Sequence, residues 1–200
     1  MRETGGLGVF TSRKMAAISL LGFAGGLPLF LTSRTLQAWM TAEKVDLTTI
    51  GLFSLVSLPY STKFLWSPFV DRWCPPFLGR RRGWMAMTQA ALALAIAALA
   101  FGDPRTATLA FACTAFGVAF LSATQDIAID AYRVDILEQR EMGAGIAVYV
   151  IGYRAALLAT GSAALILADR MTWSSVYLVM AALMLLGVGA TIWSPEPPPL

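Results

Sequence analysis

The chain has 200 residues, of which 57% are hydrophobic and 14% charged, with a mean hydropathy of +0.65 and a formal net charge of +3. Soluble domains carry about a quarter charged residues, so a soluble enzyme or binding domain is excluded. The absence of histidine excludes histidine-based triads and zinc sites, and two cysteines, Cys74 and Cys113, are too few for a disulfide framework.

The apolar residues fall into six blocks, each long enough to cross a hydrocarbon core of about 30 Å. The first is expected from about Met15 to Trp39. Arg2, Arg13 and Lys14 precede it, but its length and the five spans that follow read as a retained helix rather than a secretory leader. Within it, Gly22 and Gly26 form a Gly-x-x-x-Gly pair suited to close helix packing. Pro28 removes one backbone hydrogen bond. The second span is expected over Thr49–Phe69, broken by Pro59, and the third over Trp84–Phe101. The fourth starts near Thr106 and runs into SATQDIAIDAYRV. The fifth covers about Ala144–Ala168, where Gly152, Ala156, Thr160 and Ala164 repeat at intervals of four. The sixth covers about Ser174–Trp193, and the four prolines of SPEPPPL end it. Residues 1–14 then form a tail, 15–194 a six-helix bundle, and 195–200 a proline-rich end.

The basic residues orient the bundle. The N-terminal tail, the second connection and the fourth carry nine of them: Arg2, Arg13, Lys14, Arg72, Arg80, Arg81, Arg82, Arg133 and Arg140. The other side has three, Lys44, Arg105 and Arg170. This bias places both termini in the cytoplasm. Each of the six tryptophans falls near an expected span end, where the ring settles at the headgroups.

The remaining cations, Arg34, Lys63 and Arg154, lie inside expected spans. Charges at such depth are costly and mark functional sites. Arg154 falls almost at the midplane, Lys63 about 6 Å to the cytoplasmic side and Arg34 about 10 Å to the outside. No acidic residue is expected at the depth of Lys63 and Arg154, which points to an anionic ligand, the alternative being that one of them pairs with Asp126 or with broken-helix carbonyls. In the fourth span, Asp126 is about 12 Å and Asp130 about 18 Å from the midplane. They share one face, with Arg133 able to reach back to Asp130. At that depth they suit a latch onto Arg72 and Arg80–Arg82, or in the case of Asp126 a proton-carrying role.

The stretches GFAGGLPLFLTSRTLQAWM, VDLTTIGLFSLVSLPYSTKFLWSPFVDR, LGRRRGW, SATQDIAIDAYRVDIL, GAGIAVYVIGYR and WSSVYLVMAALM resemble the AmpG-type muropeptide permeases of the major facilitator superfamily. FVDRWCPPFLGRRRG is similar to that superfamily's loop signature between helices 2 and 3, with WCPPFL inserted. The resemblance covers one six-helix half. It implies an all-α membrane fold in the bacterial inner membrane and proton-coupled import of anhydro-muropeptides. Lys63, Arg154, Arg34 and Gln125 are then the candidate substrate-binding residues. Asp126, Asp130, Asp71, Arg72, Arg80 and Arg81 are the candidates for proton coupling or the latch. The pathway would be completed by a second half or a second copy of the chain. A related acetyl-CoA permease and a non-transporting membrane subunit are the alternatives. No catalytic residue, cofactor, metal or nucleic-acid partner is expected.

Overall fold

The computed structural model describes residues 12–197, so Arg2 and the rest of 1–11, and 198–200, lie outside the described residues. Helices α1 (Arg13–Leu31) and α2 (Arg34–Ala42) come first, followed by the short α3 (Leu47–Leu52), α4 (Leu58–Thr62) and α5 (Ser67–Arg72). The long α6 (Arg80–Ala100) and α7 (Thr108–Ile136) come next. Helix α8 (Met142–Leu158) continues through a π turn, Ala159–Ala163, into α9 (Ala164–Ala168), and α10 (Trp173–Trp193) closes the series. Five of these stretches are long and apolar enough to cross a membrane: Arg13–Ala42, α6, α7, Met142–Ala168 and α10.

The expected second span is therefore not one helix. Leu47–Arg72 is a string of short α and 3₁₀ turns, with Phe53–Ser57 and Lys63–Leu65 in the tighter form. Pro59 and Pro68 sit in the first turns of α4 and α5. Each is tolerated where a helix begins but cannot donate to the turn before it. The first span is also divided. Pro28 lies inside α1, and the helix stops three residues later. The Thr32 hydroxyl donates to Pro28 O at 3.0 Å and the Ser33 hydroxyl to Leu29 O at 2.6 Å. Tyr177 Oη donates to Leu31 O at 2.7 Å. Side chains thus satisfy carbonyls at the end of α1 before α2 starts. In the fifth span, the Thr35 hydroxyl donates to Thr160 O at 2.6 Å, inside the π turn.

Helix α1 is central, packing on α8, α10 and α7, while α6 packs on α10 and α7. The glycines set the closest approach. A Cβ on Gly22 would strike Tyr149 O, one on Gly152 would strike Ser19 O, and one on Gly26 would come within 2.7 Å of Tyr153 O. The small-residue spacing thus serves backbone-to-backbone packing of α1 on α8.

The apolar core is in two parts. One gathers Leu27, Leu31, Trp39, Phe111, Val118 and Tyr177, and the other Met15, Ile18, Trp84, Met85, Ile129 and Tyr132. Trp39 stands in the first, 3% exposed, against Phe111, Trp173 and Tyr177 at centroid distances of 5.2, 6.2 and 5.0 Å. It is a packing residue, not the headgroup anchor that its sequence position suggests, because the turn after α1 folds α2 inward over α7 and α10. Trp84 is likewise buried. Between the two cores, α6 contributes Thr88 and Gln89, and α7 contributes Ser122, Gln125 and Asp126.

Candidate polar site between the two cores

The polar layer follows from a change of residue type within otherwise apolar helices. Along α7, Phe111, Ala115, Val118 and Ala119 join one core, and Ile127, Ala128, Ile129 and Tyr132 the other. The residues between them are Ser122, Ala123, Thr124, Gln125 and Asp126. Buried polar side chains normally find partners. Here Ser122 Oγ, both amide atoms of Gln125, Asp126 Oδ1 and Tyr60 Oη are buried with no hydrogen-bond partner among the described residues. Tyr60 comes from α4, next to Pro59 in its first turn, and α4 packs on α7. Its hydroxyl faces those of Ser122 and Thr32 without a bond of normal geometry.

Gly25 lets α1 approach this layer. The position of a Cβ there lies 3.3 Å from Tyr149 Oη and 3.4 Å from Asp126 Oδ1. Tyr149 and Tyr153 stand one turn apart on α8, with ring centroids 6.0 Å apart. The Arg133 guanidinium lies over the Tyr149 ring at 4.4 Å.

Lys63 links the layer to a charged cleft of about 500 Å³ lined by Lys63, Ser67, Asp71, Arg81, Asp130 and Asp135. Lys63 Nζ is 3.8 Å from Asp130 Oδ2, and Arg133 Nη2 donates to Asp130 Oδ1 at 3.0 Å. The expectation that Lys63 has no acidic neighbour is thus corrected, because the turns of Leu47–Arg72 bring it level with Asp130. The expected partners of the arginine run also differ. Arg81 Nε donates to Asp135 Oδ2 at 2.7 Å and its Nη1 to Asp71 Oδ1 at 2.6 Å. Arg80 is 3.8 Å from the same Asp135 oxygen. Arg82 bonds Glu196 and the carbonyls of Thr191 and Ile192. Helix α7 runs on to Ile136, so Asp135 reaches the arginines, while Asp130 engages Lys63 and Arg133.

The other candidates are separate from this site. Arg154 is exposed on α8 and makes no ion pair among the described residues. Arg34 is exposed at the start of α2, its guanidinium 5.8 Å from the Phe30 ring. Arg72 is exposed at the end of α5. Cys74 and Cys113 are free. Among the described residues no group of three metal-ligating side chains converges. Sequence reasoning missed Asp135, Tyr60, Ser122 and Tyr149. The pair Tyr149 and Tyr153, four apart beside Arg154, was a readable signal, and so was Asp135, five residues beyond Asp130 in the same helix. Tyr60 and Ser122 gave none, since their role depends on where the broken segment lies.

At the level of sequence, residues 15–111 match the family described as acetyl-coenzyme A transporter 1. The anhydromuropeptide permease of Escherichia coli K12 is 52% identical over 192 residues, covering 96% of this chain and 39% of that protein. A Rickettsia conorii protein named putative transporter AmpG 1 is 34% identical over 180 residues, covering 88% of this chain and 43% of its own length. Over nearly its whole length the chain is similar to the AmpG-type permeases. It spans about two fifths of the length of these relatives. With its apolar helices, this makes it a multi-pass bacterial membrane protein.

Proposed function

We propose that the chain is one six-helix half of a major facilitator permease that imports anhydro-muropeptides with protons across the bacterial inner membrane. In this reading Leu47–Arg72 crosses as the second of six spans and both termini are cytoplasmic. A second bundle, either further chain or a second copy, faces the first across the pathway. The observation that carries the reading is the polar layer: Ser122, Gln125 and Asp126 are buried with unpartnered atoms between two apolar cores. Such groups are kept at a cost when they serve a passing ligand or ion. Gln125, Lys63, Arg154 and Arg34 are assigned to an anionic substrate, with Arg154 and Arg34 on exposed surface that a second bundle would cover. Asp126 is assigned to the proton. Asp71, Arg80, Arg81 and Asp130 are assigned to a latch whose further member is Asp135, with Arg72 beside it.

The relative named anhydromuropeptide permease supplies the substrate class. The family match to an acetyl-coenzyme A transporter supports a second reading, in which the anionic cargo is acetyl-CoA.

A chimera separates the two. In it, this chain replaces the matching 39% of the Escherichia coli permease. The expected result is protonophore-sensitive uptake of labelled anhydro-muropeptide. Arg154→Ala and Lys63→Ala should each lower uptake by about tenfold or more, the cost of one lost charge-assisted bond, with the protein still in the membrane. Full uptake by both variants would remove these cations from the site. Uptake of acetyl-CoA in place of muropeptide would select the second reading.

A further inference from the structure

A second cavity, away from the polar layer, has a different chemistry. It is a crevice of about 300 Å³ between α5, α6 and α7, with Trp66, Phe69, Trp84, Met87, Ala91 and Phe120 in its wall. That is roughly ten times the share of volume of a water molecule in the liquid. Two hydroxyls also face it, and both are engaged. Thr88 donates to Trp84 O at 2.8 Å and Thr124 to Phe120 O at 2.8 Å. The indole N–H groups are engaged too: Trp66 donates to Thr124 Oγ1 at 3.1 Å and Trp84 to Trp73 O at 2.8 Å. The wall therefore offers no free hydrogen-bonding group, and the crevice suits hydrocarbon rather than water. Phe69 and Phe120 are 60% and 41% exposed, so it opens at the surface of the bundle.

Trp84 and Phe69 form the end of the crevice that faces the arginine run. Trp73 closes that end, stacked on Phe69 at 6.2 Å and edge-on to Trp84 at 5.1 Å. The connection that holds it is built, not slack. Pro75 is buried, and a Cβ on Gly83 would fall 2.9 Å from Pro75 Cβ. Leu78 and Gly79 turn through positive φ, +56° and +73°. That turn leaves Phe77 and Leu78 exposed beside Trp73. Arg72, next in the chain, is exposed and makes no ion pair among the described residues, whereas Arg80, Arg81 and Arg82 are all engaged. Aromatic rings and a free cation at a span end match the interface of an anionic leaflet.

We infer that this crevice holds one acyl chain of an anionic phospholipid whose phosphate meets Arg72, with Trp73 at the boundary between the two. The WCPPFL insert is then the lip of a lipid site. This inference does not depend on which solute the permease carries.

The chain, purified in mild detergent and returned to nanodiscs of mixed phosphatidylglycerol and phosphatidylcholine, tests it by native mass spectrometry of retained lipid. The wild type should retain one phospholipid, with about a fivefold preference for phosphatidylglycerol. Ala91→Phe fills the crevice and should lower retention of both lipids. Arg72→Gln should abolish the preference and leave retention. Leu94→Phe, on the exposed face of α6, should change neither. Should Ala91→Phe fail to reach the membrane, Met87→Trp fills the same space. Retention by the filled variant equal to the wild type, or no preference in the wild type, would overturn the site. Complete displacement by inorganic phosphate would overturn the acyl crevice, because it would mean that the headgroup alone is bound.

Discussion

The seam between α1 and α8 and the segment Leu47–Arg72 are built on opposite plans. At the seam, Gly22, Gly26 and Gly152 put backbone against backbone, leaving no side chain that could yield. In Leu47–Arg72 the turns are short. Leu47, Leu52, Leu55, Leu58, Phe64, Leu65 and Phe69 are exposed, and α3 buries no residue. Packing at the seam fixes α1, and with it the Gly25 edge of the polar layer. The opposite edge, Tyr60 and Lys63, hangs on the segment with the least packing. Local stability follows such differences in buried contact. The site therefore has one firm wall and one that can move.

The largest expected effect breaks the firm wall. Gly152→Val places its side chain onto Ser19 O, and α1 and α8 must part. Overpacking costs about 1–3 kcal/mol where neighbours can adjust, so a backbone clash should reach about 3 kcal/mol or exceed it. Gly51→Ala in α3 meets nothing within 4 Å and should be neutral or gain about 0.5–1 kcal/mol from helix propensity. Unfolding in detergent by added SDS measures both. If Gly152→Val were no worse than Gly51→Ala, the contrast between the two regions would fail.

A smaller effect sharpens the comparison at the end of the movable wall. Arg81 ties Asp71 of α5 to Asp135 of α7. Its side chain is 11% exposed and that of Asp135 19%, whereas Asp71 is 51% exposed. Arg81→Ala leaves a largely buried carboxylate at Asp135 and should cost about 2–3 kcal/mol, short of a fully buried pair. Asp71→Ala removes only an exposed partner and should cost under about 1 kcal/mol. Hydrogen exchange over residues 63–72 should quicken in Arg81→Ala, with the α1–α8 seam unchanged. Equal effects of the two substitutions would mean that Asp135 carries no more of the tie than Asp71.

Much of this arrangement was legible in the sequence, and the illegible part has a common cause. Hydropathy located the five long apolar stretches among its six expected spans, and the small-residue spacing in the first and fifth spans announced close packing without saying that the two meet, because both properties are local to a helix. Charge depth singled out Lys63 and Asp126, since an ion inside an apolar run stands out whatever its surroundings. The pairings were not legible. Asp135 rather than Asp126 or Asp130 meets Arg80 and Arg81, and Lys63 meets Asp130. These contacts depend on how far α7 continues and on the turns imposed by Pro59 and Pro68. Spacing within one helix fixes neither.

The smallest expected effect lies at the firm end, where the start of α1 meets the start of α8. Lys14 Nζ donates to Glu141 Oε2 at 2.7 Å, and Glu138 N donates to the same oxygen at 3.0 Å. The bond from Lys14, then that from Glu138, holds the Glu141 carboxyl below its ordinary value of 4.5. A carboxyl whose value is depressed in the folded state contributes stability that is complete above pH 4.5 and fades as pH falls through the folded-state value. The pair is partly exposed, so the contribution is small and weakens with salt. Glu141→Gln should therefore melt below the wild type at neutral pH and approach it as the pH drops under 4.5. If the gap between the two held constant with pH, the contribution of Glu141 would be packing, and the α1–α8 seam would rest on its glycines alone.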